Sequence, residues 1–162
     1  MDVFDSNIWI YGLTRTCEPA VELVDQAVHT PVHVGVSAYI FDEVMLNLQR
    51  SAHPTDVVNR AQTRFADLVY GRHTIHGPTQ AEIEQMDVDR QRRDPRVQAM
   101  GEAFGIQEKD VPIVVYAHQC ARTGDSIPTT IYTADREFAS FDPRDHFENI
   151  RLEYVDCTGP IE

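Results

Sequence analysis

Four acidic residues lie far apart in this sequence, each beside an apolar run: Asp5, Glu43, Asp110 and Asp135. An isolated buried charge is costly, so such acids must be solvated, paired or bound to a cation. Carboxylates that share one pocket repel each other unless a cation neutralises them, and an all-oxygen ligand set favours Mg²⁺ or Mn²⁺. Such a site activates water and stabilises charge on a phosphodiester oxygen. The four acids are therefore our candidate metal ligands and catalytic residues.

Three small polar residues accompany two of these acids. Ser6 and Asn7 follow Asp5, and Thr133 lies two residues before Asp135. We expect them to donate hydrogen bonds that orient the carboxylates around the ion. Helix capping and hydrogen bonding at strand ends are equally compatible with these residue types.

Two further acids compete for a place in the site. Asp42 precedes Glu43, and adjacent helical positions point about 100° apart, so only one of them faces the site. We predict that Glu43 does, with Asp42 in solvent. Asp142 precedes Pro143 and is best interpreted as a turn-forming residue, with a metal role as the alternative.

The candidate residues are positioned by alternating strand and helix patterns. The predicted strands cover residues 2–5, 32–37, 129–133 and 150–156, and residues 74–79 are interpreted as a short third strand and turn. A first helix is capped by Ser6 or Asn7, and a second begins near Pro19. Further helices cover 38–50, the segment from Pro54 with Gly71 as its cap, a polar stretch at 79–104 broken by Pro95, a segment from Glu108 to Thr123-Gly124, and 135–140.

Strands separated by helices predict an α/β fold with a largely parallel sheet and helices on both faces. In such sheets, ligands bind beyond the carboxyl ends of the strands. Asp5 ends the first strand and Asp135 follows the fourth, so these carboxylates should share one edge. Glu43 is expected in the first turns of the helix after the second strand, and Asp110 in the first turn of the helix that begins near Glu108, where a helix N-terminus favours an anion by roughly 0.3–1 kcal/mol.

Four segments, in order, carry a family resemblance. They are "DSN" at 5–7, "VSAYIFDEV" at 36–44, "KDVPIVVYA" at 109–117 and "YTADREF" at 132–138. They resemble the four acidic motifs of the PIN domain, a metal-dependent nuclease fold. The resemblance implies a single PIN-like three-layer α/β/α domain over residues 1–162. It also implies that the four acids bind Mg²⁺ or Mn²⁺.

The size of the chain and the early Glu43 are similar to VapC-type toxins. That resemblance implies a ribonuclease, commonly a homodimer, that is blocked by a partner antitoxin. A PIN nuclease that processes ribosomal RNA and a catalytically silent PIN-like binding module are the alternatives. A phosphoryl-transfer or receiver domain with Asp5 as nucleophile fits less well, because its expected second aspartate is replaced by Asn7 and the sole lysine, Lys109, precedes a candidate ligand.

The charge of the chain limits how it could bind RNA. The net charge is −12, from 26 acidic and 14 basic residues, which argues against a broad positive surface. The Asp-rich, Lys-poor composition is similar to that of halophile proteins. The only basic cluster lies at 89–96, where Arg92, Arg93 and Arg96 are candidate RNA contacts, as is Arg136; an exposed helix end with local ion pairs is the alternative.

The remaining composition favours a cytoplasmic protein. We find no apolar run long enough for a membrane span and no secretory leader. Cys17, Cys120 and Cys157 are odd in number and widely spaced, so we expect them to stay reduced. His73 and His76 are interpreted as surface or turn residues. Trp9, Tyr39, Phe41 and Tyr116 are predicted core, or part of a dimer or antitoxin surface.

Overall fold

A parallel sheet forms the centre of the fold in the computed structural model, which describes residues 1–123 and 127–158. All strand pairs in it are parallel, in the order β3-β2-β1-β4-β5. The strands are β1 (Asp2–Phe4), β2 (Val34–Gly35), β3 (Ile75–His76), β4 (Thr129–Thr133) and β5 (Ile150–Tyr154). With helices on both faces, the chain has the predicted PIN-like three-layer α/β/α architecture.

The helices connect these strands in the expected alternation. They are α1 (Ser6–Thr14), α2 (Glu18–His29), α3 (Ala38–Gln49), α4 (Thr55–Gly71), α5 (Gln80–Gln85), α6 (Val88–Arg93), α7 (Pro95–Phe104), α8 (Val111–Thr123) and α9 (Arg136–Ala139). A short 3-10 turn covers Pro143–Asp145. Within the described ranges, no helix combines the length and apolarity needed to cross a bilayer.

The sheet order changes direction beside β1, where we infer a crevice from the topology. From β1, the chain extends the sheet through β2 and β3 on one side, and through β4 and β5 on the other. In open parallel sheets, such a change of direction leaves a crevice at the carboxyl ends of the central strands. The register pairs Phe4 with Tyr132, and the Asp5 amide donates to the Tyr132 carbonyl at 2.9 Å. Asp5 therefore lies next to the end of β4.

The cap of α1 differs from the prediction. Neither Ser6 nor Asn7 caps this helix; Asp5 is the N-cap, and its carboxylate accepts from the Ser6 amide at 2.7 Å. The reason is geometric, because Asp5 ends β1 and Ser6 is already helical. Asp5 thus lies between β1 and α1, and its carboxylate faces the crevice.

Several predicted boundaries are too long or misplaced. The strand predicted at 32–37 has only two residues in the ladder, Val34–Gly35. The short strand expected within 74–79 is confirmed at Ile75–His76. α4 includes Gly71, and Arg72 is its C-cap. α8 begins at Val111 rather than near Glu108. Its predicted stop at Gly124 lies outside the described residues.

The polar stretch at 79–104 breaks twice. Pro95 ends the preceding helix as predicted, with Asp94 capping α7 and Pro95 in its first turn. A further break separates α5 from α6, where Asp87 accepts from the Arg90 amide at 3.0 Å and starts a new helix. Asp and Asn favour such caps over helix interiors, which explains the extra break.

Aromatic residues fill the core beneath the crevice. Trp9 is fully buried, with its ring centroid 5.1 Å from Phe4 and 5.1 Å from Phe65. Phe41 stacks on Phe65 at 5.3 Å. Trp9 and Phe41 are therefore core, as predicted, and they fix α1 and α3 against α4.

The predicted reduced state of the cysteines is wrong for two of them. Cys17 and Cys157 form a disulfide with a Cα–Cα distance of 5.4 Å and a sequence separation of 140 residues. Cys17 precedes α2 and Cys157 follows β5, so only the tertiary fold brings them together. Cys120 lies outside this disulfide.

The predicted surface positions of His73 and His76 are confirmed, but the contact between His76 and His33 was not predicted. His76 is exposed at the end of β3, and its Nε2 lies 2.8 Å from His33 Nδ1. The two rings stack with centroids 5.0 Å apart. This pair lies at the β2–β3 edge and involves none of the four acids.

Candidate functional site

Asp5 is the most firmly held of the four acids. It is 4% exposed and accepts from Thr133 Oγ1 at 2.7 Å and from Asn7 Nδ2 at 3.3 Å, in addition to the Ser6 amide. The Asp135 amide in turn donates to Thr133 Oγ1 at 3.0 Å. Ser6, Asn7 and Thr133 thus all orient one carboxylate, and Thr133 connects it to the turn that carries Asp135.

Glu43 lies one turn into α3 and faces the same crevice. Ser37 caps this helix by accepting from the Ile40 amide at 3.1 Å, which fixes the direction of its first turns. Glu43 is 6% exposed, and its Oε1 accepts from Arg92 Nη2 at 2.7 Å. The other oxygen, Oε2, is buried without a hydrogen bond in the described structure. Asp42, by contrast, is half-buried and lines a different groove, with Met45.

Asp110 and Asp135 complete the acidic set from the other side. Asp110 precedes α8, is 4% exposed, and its carbonyl accepts from the Ile113 amide at 3.1 Å. Asp135 is the N-cap of α9 and accepts from the Glu137 amide at 2.9 Å. Lys109 Nζ donates to Asp135 Oδ2 at 3.2 Å. Asp5, Asp110 and Asp135 therefore lie where a strand ends or a helix begins, and Glu43 lies within α3.

The pKa values show that these carboxylates affect each other. Burial, and then the charge of Asp5, raises the pKa of Glu43 to about 7, although Arg92 and, more weakly, the Ser6 hydroxyl oppose the shift. Burial, and then Asp5, raises the pKa of Asp110 to about 8, with further contributions from Asp135 and Glu43. Burial and mutual repulsion therefore both disfavour the charged forms of Glu43 and Asp110 in the metal-free protein.

Asp5 and Asp135 respond differently to the same crevice. Burial raises the pKa of Asp5, against the hydrogen bonds from Thr133 and Ser6 that favour its charged form. Burial would also raise the pKa of Asp135, but the Lys109 ammonium and nearby backbone amides outweigh it and lower that pKa. Asp135 is therefore the acid best able to carry a charge without a metal.

A chain of hydrogen bonds connects the two cations that face these acids. Tyr39 Oη donates to the Lys109 carbonyl at 2.8 Å and accepts from Arg92 Nε at 2.9 Å. Lys109 contacts Asp135 and Arg92 contacts Glu43, so the chain passes along one side of the site. Tyr39 is 2% exposed, as expected for a core residue, but its hydroxyl belongs to the site.

The site fits a divalent cation by its donor chemistry rather than by a closed coordination shell. Within residues 1–123 and 127–158, no group of three or more His, Cys, Asp or Glu side chains is spaced to hold a metal ion. The four carboxylates nevertheless offer only oxygen donors, and the buried Glu43 Oε2 has no donor of its own. A hard cation would satisfy this oxygen and relieve the repulsion that adds to the effect of burial on the pKa values of Glu43 and Asp110.

The predicted RNA-contacting arginines lie in different surroundings. Arg92 is bound to Glu43. Arg93 is exposed on α6, and Arg96 forms a pair with Asp94 at 3.3 Å. Arg136 is exposed, with its guanidinium 5.7 Å from the ring centroid of Tyr154. The structure thus brings Arg92 into the acidic site and leaves the other three outside it.

Sequence reasoning missed the roles of Tyr39 and Lys109. Tyr39 lies four residues before Glu43, so both residues occupy one face of α3, and Lys109 adjoins Asp110. From these spacings, both side chains could have been predicted to lie near the acids. The pairing of Arg92 with Glu43 had no such signal, because α6 and α3 are distant in sequence.

A groove of about 430 Å³ lies near the site but contains none of the four acids. Tyr39 and Met86 line it, together with Arg96, Val97 and Tyr116. The chemistry of the acids and this groove are therefore separate features, which share Tyr39.

Comparison with known proteins supports the architecture. The chain is similar to a chain in the crystal structure of VapBC2 from Rickettsia felis bound to a DNA fragment from their promoter. The match has a TM-score of 0.54 and 14% identity, and it covers 96% of this chain and 98% of that chain. No protein-family model and no curated protein matches the sequence. At this identity the likeness shows the fold.

Proposed function

We propose that this chain is a divalent-metal-dependent ribonuclease of the VapC type, the toxin of a toxin–antitoxin pair. The observation that carries the proposal is the acidic crevice, where Asp5, Glu43, Asp110 and Asp135 come from distant segments to one edge of the sheet and perturb each other's pKa values. Perturbed carboxylates in a cleft are typical of catalytic sites. The structural likeness to a VapBC2 chain supports the same function class.

The four acids would hold Mg²⁺ or Mn²⁺, with Asp5 as the fixed ligand. When bound, such an ion lowers the pKa of water and stabilises negative charge on a phosphodiester oxygen. Thr133, Ser6 and Asn7 hold the Asp5 carboxylate in one orientation, so little reorganisation is needed when a cation arrives.

The protein's charge makes binding of RNA dependent on a cation. With a net charge of −12, the chain repels a phosphate backbone unless the acids are neutralised. Arg93, Arg96 and Arg136 are exposed and offer forked donors that suit phosphate oxygens. We propose that they position the RNA, while the acids carry out the chemistry.

The partners follow from the same assignment. The neighbour was solved as a VapBC2 complex on its promoter DNA. We extend this to an antitoxin partner and a homodimer for this chain, as a single PIN-like domain over 1–162. Processing of ribosomal RNA is the alternative use of the same chemistry, and a small antitoxin reading frame directly upstream would favour the toxin.

Cleavage of RNA in the presence of Mn²⁺ tests the proposal. We expect structured and unstructured RNA to be cut by the wild-type chain, and chelation with EDTA to stop cleavage. Asp5→Asn and Asp110→Asn should each lower the rate by about 100-fold or more, because each removes a charged ligand from the proposed metal site.

Asp142→Asn provides the matched control. Asp142 accepts from the Arg144 amide at 3.0 Å as the cap of the 3-10 turn, which asparagine can also do. This variant should cleave at the wild-type rate. Undiminished cleavage by both Asp5→Asn and Asp110→Asn would reject the assignment of the site.

A catalytically silent binding module is the second candidate, favoured by the two ion pairs. Arg92 and Lys109 already neutralise Glu43 and Asp135, at 2.7 and 3.2 Å. A silent module needs no more than this, and calorimetry with Mn²⁺ would then show no tight binding. Tight binding that Asp5→Asn abolishes would favour the nuclease.

A further inference from the structure

Arg92 places a positive charge inside the acidic crevice. Its Nη2 lies 2.7 Å from Glu43 Oε1, and the two side chains are 32% and 8% exposed. The surface pair Arg60–Asp56, in contrast, is 77% and 74% exposed. Exposed pairs contribute little to stability, whereas a charge-assisted hydrogen bond to a buried carboxylate is among the stronger hydrogen bonds in proteins. The Arg92 contact therefore differs in kind from the surface ion pairs.

Tyr39 fixes the Arg92 side chain in this place. The Tyr39 hydroxyl gives its proton to the Lys109 carbonyl, so its oxygen is available to accept from Arg92 Nε at 2.9 Å. The guanidinium carbon also lies 5.8 Å from the centroid of the Tyr39 ring. Tyr39 and Glu43 lie one turn apart on α3, so both side chains bind the guanidinium of Arg92.

This arrangement conflicts with a second cation at the same carboxylate. Arg92 occupies Oε1 of Glu43, while the buried Oε2 has no donor. Two cations held a few ångströms apart in a partly buried site repel each other strongly. A divalent ion that takes Glu43 as a ligand must therefore displace the guanidinium or bind with a penalty.

We propose that Arg92 is a resident competitor of the divalent ion, neutralising Glu43 in the metal-free protein and leaving that carboxylate when the ion binds. The inference rests on the proposed function and adds a form of regulation to it. Arg92 is one third exposed, so its side chain has a route to solvent without movement of α6. The metal affinity of the chain is then set by how tightly Tyr39 and Glu43 retain this side chain.

Calorimetric titration with Mn²⁺ of the full chain near neutral pH tests the competition. Arg92→Gln should bind Mn²⁺ about 10-fold more tightly than wild type, which corresponds to about 1.4 kcal/mol. Arg93→Gln is the matched control, because it removes the same charge from the adjacent, exposed position. That control should change the affinity by less than about two-fold, which separates displacement from a general change of charge.

A second measurement avoids dependence on a variant. In the wild-type protein, the Arg92 Nε–H resonance should shift as Mg²⁺ is added and stop shifting when the site is full, while the Arg93 signal stays in place. The proposed competition would be wrong if wild type and folded Arg92→Gln bound Mn²⁺ equally tightly, or if the Arg92 signal did not move at saturation. Neither result would contradict the proposed nuclease. Absence of Mn²⁺ binding in every folded variant would overturn this inference and the proposed nuclease together.

Discussion

At the scale of single residues, Asp110 lies where its own charge is disfavoured. Its pKa is raised to about 8 in the folded chain, by burial first and then by Asp5, against an ordinary value of 3.8. Between those two pH values the folded state keeps a proton that the unfolded state has released. Stability must therefore fall as pH rises through this window.

Replacing Asp110 by asparagine should remove this loss of stability at rising pH. In metal-free buffer we expect Asp110→Asn to be more stable than wild type by about 2 kcal/mol near pH 8, or about 5 °C in Tm, and unchanged near pH 4. Thermal melts with EDTA across this range measure the difference. Asp142→Asn is the control, since Arg144 lowers the pKa of Asp142 and no gain should appear.

The sequence predicted site residues where the signal was local. Asp5 and its neighbours Ser6 and Asn7 were recognisable, because an acid at the end of an apolar segment needs donors nearby. The contacts of Arg92 with Tyr39 and Glu43 span 53 and 49 residues. No local pattern encodes such contacts, since they depend on how α6 packs near α3.

At the scale of elements, the close approach of α1 and α2 depends on Gly12. A Cβ at this position would lie 2.5 Å from Val24 Cγ2 and 2.9 Å from the Ala20 carbonyl oxygen. Alanine favours helices by up to about 1 kcal/mol over glycine, but overpacking against backbone costs about 1–3 kcal/mol. We expect Gly12→Ala to lower the unfolding free energy by about 1–2 kcal/mol, measured by urea denaturation.

Gly71→Ala is the comparison for this prediction. Gly71 is the last residue of α4, and a Cβ there would meet nothing within 4 Å. The unfolding free energy of Gly71→Ala should equal that of wild type or be slightly higher. A Gly12→Ala variant as stable as Gly71→Ala would show that α1 and α2 can separate without loss.

Element boundaries followed the sequence best where side chains set them. β4 matches the β-branched run at 129–133, and Pro95 begins α7. β2 was predicted too long, because apolar alternation continues beyond the two residues that share ladder hydrogen bonds. Pairing with a neighbour, rather than the strand's own pattern, determines those ends.

At the scale of the whole molecule, parallel topology explains why the placement of Asp5 and Asp135 at one edge of the sheet could be predicted. Asp5 and Asp135 follow strands that are neighbours in the sheet, and carboxyl ends of parallel strands meet at one edge. The disulfide could not be located in this way. Cys17 and Cys157 lie at loop positions whose separation depends on the packing of α2 against the end of the sheet.

The Cys17–Cys157 disulfide closes a loop of 140 residues and fastens the segment after β5 to the start of α2. In the chain-entropy account, such a long loop stabilises by restricting the unfolded chain, typically by about 2–4 kcal/mol. We expect dithiothreitol to lower the Tm of the wild-type chain by about 5–10 °C. The double variant Cys17→Ser/Cys157→Ser should melt at the lowered temperature with or without the reductant. Asp5, Glu43 and Asp135 are held by their own hydrogen bonds and ion pairs, so the proposed Mn²⁺ binding should be unaffected below the lowered Tm. An unchanged Tm on reduction would show that the crosslink adds no stability.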